Sequence, residues 1–197
     1  MTPELERLNA LPAGEAEARL SSCCASSEWA RRMAAARPFD SLRELAEEAD
    51  RVWRSLSRKD WLEAFAAHPQ IGGAPSSRPT SVAGAGPQDL SLSSVAGAGP
   101  RDLSPRHSLD WSREEQDGTR GASPETLANL ADANRDYEER FGHIFIVCAS
   151  GRNAAEMLAL AQARLGNDRQ TELAIAAEEQ RKITRLRLEK LLAATDK

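Results

Sequence analysis

The sequence predicts an all-α fold: a single-domain multi-helix bundle over residues 1–197 with one long low-complexity loop insertion at 73–110. Three observations carry that expectation. Ala and Leu dominate while only 5% of residues are aromatic, a composition that leans helical. Apolar residues recur three and four apart in segment after segment. Only one run, His143–Cys148, strongly favours strand, and no second run offers to pair with it. A lone strand cannot satisfy its own backbone, so an extended segment buried among helices is expected there.

Residues 1–24 read as two short helices around Leu11-Pro12-Ala13-Gly14. Ser27 is expected to cap the next helix, which carries Trp29 and Met33 on one face. Arg37-Pro38-Phe39-Asp40 ends it. Ser41 and Glu44 have capping-box spacing and open a helix with Leu42, Leu45, Ala49, Val52, Trp53 and Leu56 at helical intervals. Ser57 caps the following helix, which leads into His68. Ser123 caps a helix with Pro124 at its first position and Leu127, Leu130, Asn134, Tyr137 and Phe141 on its apolar side, closed by Gly142. Ser150–Asn153 turns into a helix from Ala154 to Leu165, and a long helix follows from about Asp168 to about Leu192.

Residues 73–110 differ in kind, being rich in Gly, Ala, Pro and Ser. Ser81–Ser91 recurs as Ser94–Ser104 with only Gln88 changed, to Arg101. Two copies are too few for a solenoid, and each lacks the apolar residues for a core. The segment reads as a duplicated, mobile loop.

Several function classes are excluded by composition. Net charge is −4 with both signs interspersed, and no basic block marks a nucleic-acid partner. No stretch approaches a membrane span, and the acidic N-terminus lacks the apolar core of a signal peptide. The three cysteines, Cys23, Cys24 and Cys148, form no disulfide framework and no zinc spacing, and reduced thiols fit a cytoplasmic protein.

Two positions stand out chemically. His68 falls at a helix end, because Pro69 disfavours helix at the residue before it. Trp61, Phe65 and His68 share one face. The negative helix end favours imidazolium and burial favours the neutral ring, so His68 is expected to titrate near neutral pH. The alternative is a core histidine bonded to a carbonyl. On the long last helix, Gln180, Thr184 and Arg187 fall inside the arc of Leu173, Ile183 and Leu191. Arg187 is then either a structural ion-pair member or an anion-binding residue in a pocket. Glu115, three residues after Ser112, has a capping role available to it.

Four motifs now occur in order: His68-Pro69-Gln70-Ile71-Gly72, Trp111-Ser112 with Glu115-Gln116, Phe141-Gly142-His143-Ile144-Phe145-Ile146-Val147-Cys148-Ala149, and Lys182-Ile183-Thr184-Arg185-Leu186-Arg187-Leu188. Together they closely resemble the 2-oxo-4-hydroxy-4-carboxy-5-ureidoimidazoline (OHCU) decarboxylase family of urate breakdown. Arg37-Pro38-Phe39 and Asn134-Arg135-Asp136-Tyr137 resemble it too, and only residues 73–110 fall outside the likeness. The resemblance implies an all-α fold, a homodimer, no metal or organic cofactor, and loss of carbon dioxide from OHCU to give (S)-allantoin. It implies His68 as catalytic proton donor, with Glu115 and Arg187 as the other catalytic residues. Pro69, Ser112 and Gln116 match substrate-binding positions, as does the segment Val147, Cys148, Ala149, Ser150 and Gly151. Unpaired amides of that extended segment are expected to hold the substrate's carbonyl groups.

Competing readings are a helical interaction module using the duplicated loop as a partner-binding tether, and a non-catalytic relative that keeps the pocket. An enzyme requires His68, Glu115 and Arg187 to converge on one cavity; a binding module does not. Loop closure entropy grows by only ~0.6 kcal/mol per doubling of length. Deleting one repeat copy is therefore expected to leave the melting temperature nearly unchanged in calorimetry, whereas a large fall would mean that the repeat packs on the core.

Overall fold

The computed structural model describes residues 2–71, 111, 117–119 and 121–193. The duplicated segment, Ser112, Glu115 and Gln116 lie outside the described residues. Among those described there are eight α-helices and no strand. They are α1 (Pro3–Ala10), α2 (Ala13–Ser21), α3 (Ser27–Ala35), α4 (Leu42–Arg54), α5 (Arg58–Ala66), α6 (Pro124–Phe141), α7 (Ala154–Arg164) and α8 (Arg169–Ala193), with a short 3₁₀ turn at Asp117–Thr119.

The helix boundaries follow from local chemistry. Ser57 and Asp60 form a full capping box at α5, and Asn153 and Glu156 form one at α7. Ser123 Oγ accepts from the Thr126 amide at 3.0 Å, and Gly142 ends α6 in the left-handed region at φ 78°. Two expectations shift. The cap of α3 is Ser26 rather than Ser27, because the Ser27 hydroxyl donates to Glu63 Oε1 on α5 at 2.5 Å. The box at α4 is half formed: Ser41 Oγ accepts from Glu44 N at 3.1 Å, but the Glu44 carboxylate takes the Asp40 amide at 2.7 Å.

α8 is the spine, packed against α1, α4 and α5. The Trp53 indole donates to Ala177 O on α8 at 2.8 Å, and Trp61 donates to Trp53 O at 3.0 Å. Asp50 on α4 accepts from Arg181 of α8 at 2.7 Å. The Arg37-Pro38-Phe39 motif clasps the end of α1. Arg37 donates to the carbonyls of Leu8 and Leu11 at 2.7 Å each, satisfying groups that a helix end leaves open. The Asn9 side chain exchanges two hydrogen bonds with the Phe39 backbone, at 2.8 and 3.0 Å.

The strand-favouring run is an extended segment between two cores, as the sequence predicts. Side chains of extended chain alternate in direction. Ile144, Ile146 and Cys148 face the core of α1–α5 and α8, while Phe145, Val147 and Ala149 face that of α6, α7 and Ile71. Its central carbonyl, Ile146 O, accepts from Arg164 at 2.8 Å. Arg164 is itself buried and bonds Glu172 of α8, through Nε at 2.8 Å and again through a terminal nitrogen. The Tyr137 hydroxyl and the Asn167 amide donate to the same carboxylate. The Arg164 guanidinium also lies 4.8 Å from the Phe145 ring centroid.

Removing one partner of a buried pair strands the other charge, which typically costs about 3–5 kcal/mol. Arg164→Met is therefore expected to lose that much in urea unfolding, and Arg164→Met with Glu172→Leu considerably less. A single-variant loss below about 1 kcal/mol, the worth of a surface pair, would contradict this assignment.

Candidate active site

His68 emerges from the end of α5, its amide donating to Phe65 O at 3.1 Å. It lines a small cleft. Pro69, Ile71, the extended segment Phe145–Ser150, and Ile183 and Leu186 of α8 line the same cleft. Asn134 of α6 fixes the lip by donating to Ile71 O at 2.8 Å.

Of the positions singled out in sequence, His68, Pro69, Val147, Cys148, Ala149 and Ser150 line this one cleft. Gly151 sits just beyond, at a turn with φ 77°. Arg187 lies one turn past Ile183 with 2% of its surface exposed, near enough for its charge to act on His68. Arg187 is not among the residues that line the cleft, and Ser112, Glu115 and Gln116 lie outside the described residues. The described neighbours on either side of them are held in place. Trp111 packs on the first core, and a Cβ at Gly118 would fall 1.8 Å from the carbonyl oxygen of Arg152, an approach that glycine alone allows.

The electrostatics differ from expectation in one respect. Burial first, then the Arg187 guanidinium, push the His68 imidazole down to about 3, against a smaller lift from the Gln180 side chain. The helix-end effect invoked for near-neutral titration is outweighed, because a full buried cation across the site exceeds a partial terminal charge. Arg187 also lowers the buried thiols of Cys23 and Cys24, but desolvation dominates and lifts them to about 12 and about 11. Both remain thiols and offer no nucleophile.

The extended wall is partly occupied. The Cys148 amide, expected to be free, donates to Glu179 Oε2 of α8 at 2.8 Å, and Glu179 is held in turn by Lys182 at 2.6 Å. Among the described residues, the amides of Val147, Ala149 and Ser150 have no acceptor. Sequence reading missed Glu179 and Arg164. For Arg164 a signal existed: Met157, Ala161 and Arg164 follow i, i+4, i+7 on the buried face of α7.

Residues 9–189 match the sequence model of the family described as OHCU decarboxylase. The chain belongs to the OHCU decarboxylase family. It is 38% identical over 188 residues to the uric acid degradation bifunctional protein TTL of Arabidopsis thaliana, covering 93% of this chain and 49% of that protein. It is 40% identical over 73 residues to the 2-oxo-4-hydroxy-4-carboxy-5-ureidoimidazoline decarboxylase of Amia calva, covering 34% of this chain and 42% of that protein. The chain thus spans about half the length, or less, of these curated relatives. A crystal structure of OHCU decarboxylase in the presence of (S)-allantoin superposes with a TM-score of 0.66 at 36% identity, covering 88% of this chain and 96% of that one. In this OHCU decarboxylase family member the cleft beside His68 is the candidate active site.

A depressed histidine pKa sets a sign for stability. The unfolded ring binds its proton near pH 6.5, the folded one near 3. Between those values the unfolded state holds more protons, so stability is complete above about pH 6.5 and falls as pH drops toward 3. His143, also lowered mainly by burial, acts in the same sense. His68→Asn is expected to flatten the stability–pH slope in this window by up to about 1.4 kcal/mol per pH unit, one proton's worth. Equal slopes for the two proteins in urea titrations would place the folded pKa near its ordinary value.

Proposed function

We propose that this chain decarboxylates OHCU, releasing carbon dioxide and leaving (S)-allantoin, with His68, Arg187 and Glu115 as its catalytic residues. The observation that carries this reading is a histidine lining the cleft with a buried arginine of the last helix near enough for its charge to act on the ring.

The chemistry follows from the charges. Arg187 favours an anion, and the substrate's carboxylate supplies one in a site largely closed to water. The anion offsets the arginine charge felt by His68, so the ring becomes more basic as substrate enters and takes up a proton. The bond to the carboxylate carbon then breaks, carbon dioxide leaves, and the electron pair stays on the ring carbon and its imino system. His68 delivers its proton to one face of that carbon and returns to neutral, which fixes the handedness of the product. The balance is one carboxylate and one proton consumed, one carbon dioxide released. The amides of Val147, Ala149 and Ser150 are placed to hold the ring and ureido carbonyls, with Pro69, Ser112, Gln116, Cys148 and Gly151 completing the substrate contacts. Glu115 orients the histidine and favours its protonated form. We read the active unit as a cofactor-independent cytoplasmic homodimer with the 73–110 loop outside its catalytic domain.

The direct test follows the loss of OHCU absorbance with chiral detection of allantoin; unaccelerated, racemic product would overturn the reading. His68→Asn is expected to keep the fold and lower turnover by about 10²–10⁴-fold, the usual worth of a positioned general acid. Arg187→Leu is expected to act mainly on substrate binding, raising KM more than it lowers kcat. Near-normal turnover in His68→Asn would return this residue to a structural role.

A further inference from the structure

The extended segment runs beside α8, but a helix spends its own amides and carbonyls internally and cannot pair with a neighbouring chain as a strand would. Side chains do the pairing instead. Glu172 and Glu179 are seven residues apart, two turns along one face of α8, and both are buried. Glu172 acts through Arg164, which donates to Ile146 O at 2.8 Å. Glu179 acts directly. Its Oε2 accepts from the Cys148 amide at 2.8 Å, and its Oε1 accepts from Lys182 Nζ at 2.6 Å. Both carboxylate oxygens thus have a partner, and an amide bonded to a carboxylate makes one of the stronger hydrogen bonds available to it. In extended chain, successive amides point to opposite edges. The Cys148 amide is committed to the α8 edge, so those of Val147 and Ala149 fall on the other. Neither has an acceptor among the described residues, and both residues line the cleft with His68.

We propose that Glu179 is a positioning residue for substrate: by taking the Cys148 amide it fixes which edge of the extended segment faces α8, and so turns the Val147 and Ala149 amides to the cleft as a paired donor site for two carbonyl oxygens. Amides two residues apart on one edge are separated by about 6.5 Å, twice the rise per residue of extended chain. That interval suits neutral acceptors at two ends of a ligand rather than the adjacent oxygens of one carboxylate. A slip of one residue would exchange the edges and turn the wrong amide to the cleft. No partner strand among the described residues prevents such a slip, and the Glu179 bond does. Glu179 is not among the residues that line the cleft, so it acts through the Cys148 backbone. The identity of the ligand rests on the function proposed above.

The test reads backbone amides and kinetics together. In ¹H–¹⁵N spectra of the wild type, (S)-allantoin is expected to move the Val147 and Ala149 amide protons downfield and to leave that of Cys148 in place. Glu179→Leu removes the acceptor. Exchange of the Cys148 amide with solvent is then expected to speed up by about tenfold or more. KM for OHCU should rise by about 10–100-fold with kcat changed much less, the pattern of lost binding rather than lost chemistry. A residue serving stability alone would lower the melting temperature and leave the KM of the folded enzyme where it was. Glu179→Gln keeps an acceptor and is expected to restore both the slow exchange and the KM. Where Glu179→Leu does not fold, Glu179→Ala, which leaves room for water at the amide, carries the same expectations. With an active wild type, any of four results overturns the inference: Val147 and Ala149 amides unmoved by (S)-allantoin, an unchanged KM without the carboxylate, unchanged exchange at Cys148, or no recovery in Glu179→Gln. A wild type that neither turns over OHCU nor binds (S)-allantoin overturns the function proposed above, and this inference with it.

Discussion

The buried bond between Arg164 and Glu172 is the constraint on which the rest depends. The sequence places a strand-like run among helices, where no neighbouring strand can take its backbone groups. Arg164 supplies what a sheet would have supplied at one carbonyl, Ile146 O, and its charge is balanced by a carboxylate from the spine helix. Tyr137 and Asn167 complete that carboxylate, so helices α6, α7 and α8 meet at a single fully buried group. The extended segment can then separate two cores and present its amide edge to the cleft. Without the pair, two apolar layers would meet with an unsatisfied backbone between them.

The spine helix carries a second device on another part of its surface. Glu179 takes the Cys148 amide, while Ile183 and Leu186 line the cleft and the buried Arg187 charge acts on His68. One rigid helix thus bears both on the extended segment and on the histidine. The interval between them is fixed by helical pitch rather than by loop conformation. Burial first, and then the permanent Arg187 cation, both oppose a positive charge on the imidazole.

Much of this was legible in the sequence, and the reasons differ from residue to residue. Helix starts at Ser57 and Ser123 were readable because capping is local chemistry. Ser26 and Ser27 were not distinguishable, because the choice is made by Glu63, thirty-six positions away. The inward face of Arg187 was readable from periodicity alone. The depressed basicity of His68 was not, since it depends first on how completely the fold buries the ring and then on Arg187 approaching across the fold, while the visible local influence, the helix end, pushes the other way. The free amides were anticipated as a class, but Glu179's claim on one of them needed tertiary structure. Arg164 was there to be read from its place on an apolar face.

The placement of the insertion between two parts of the site has a physical explanation in how its flanks are held. On one side Ile71 is buried in the second core, and its carbonyl is fixed by Asn134. On the other, Trp111 packs on the first core and Gly118 rests against the Arg152 backbone. Each flank is therefore positioned by contacts that do not run through the intervening chain. A flexible connection between fixed ends costs free energy only logarithmically in its length, so each doubling of such a connection would add about 0.6 kcal/mol. A longer connection at the end of α7, where Arg164 must reach Glu172 only eight residues on, would be a different matter. There the loop length itself sets the geometry of the buried pair. The duplicated sequence falls between independently held anchors, and the connection is short where two charges must meet.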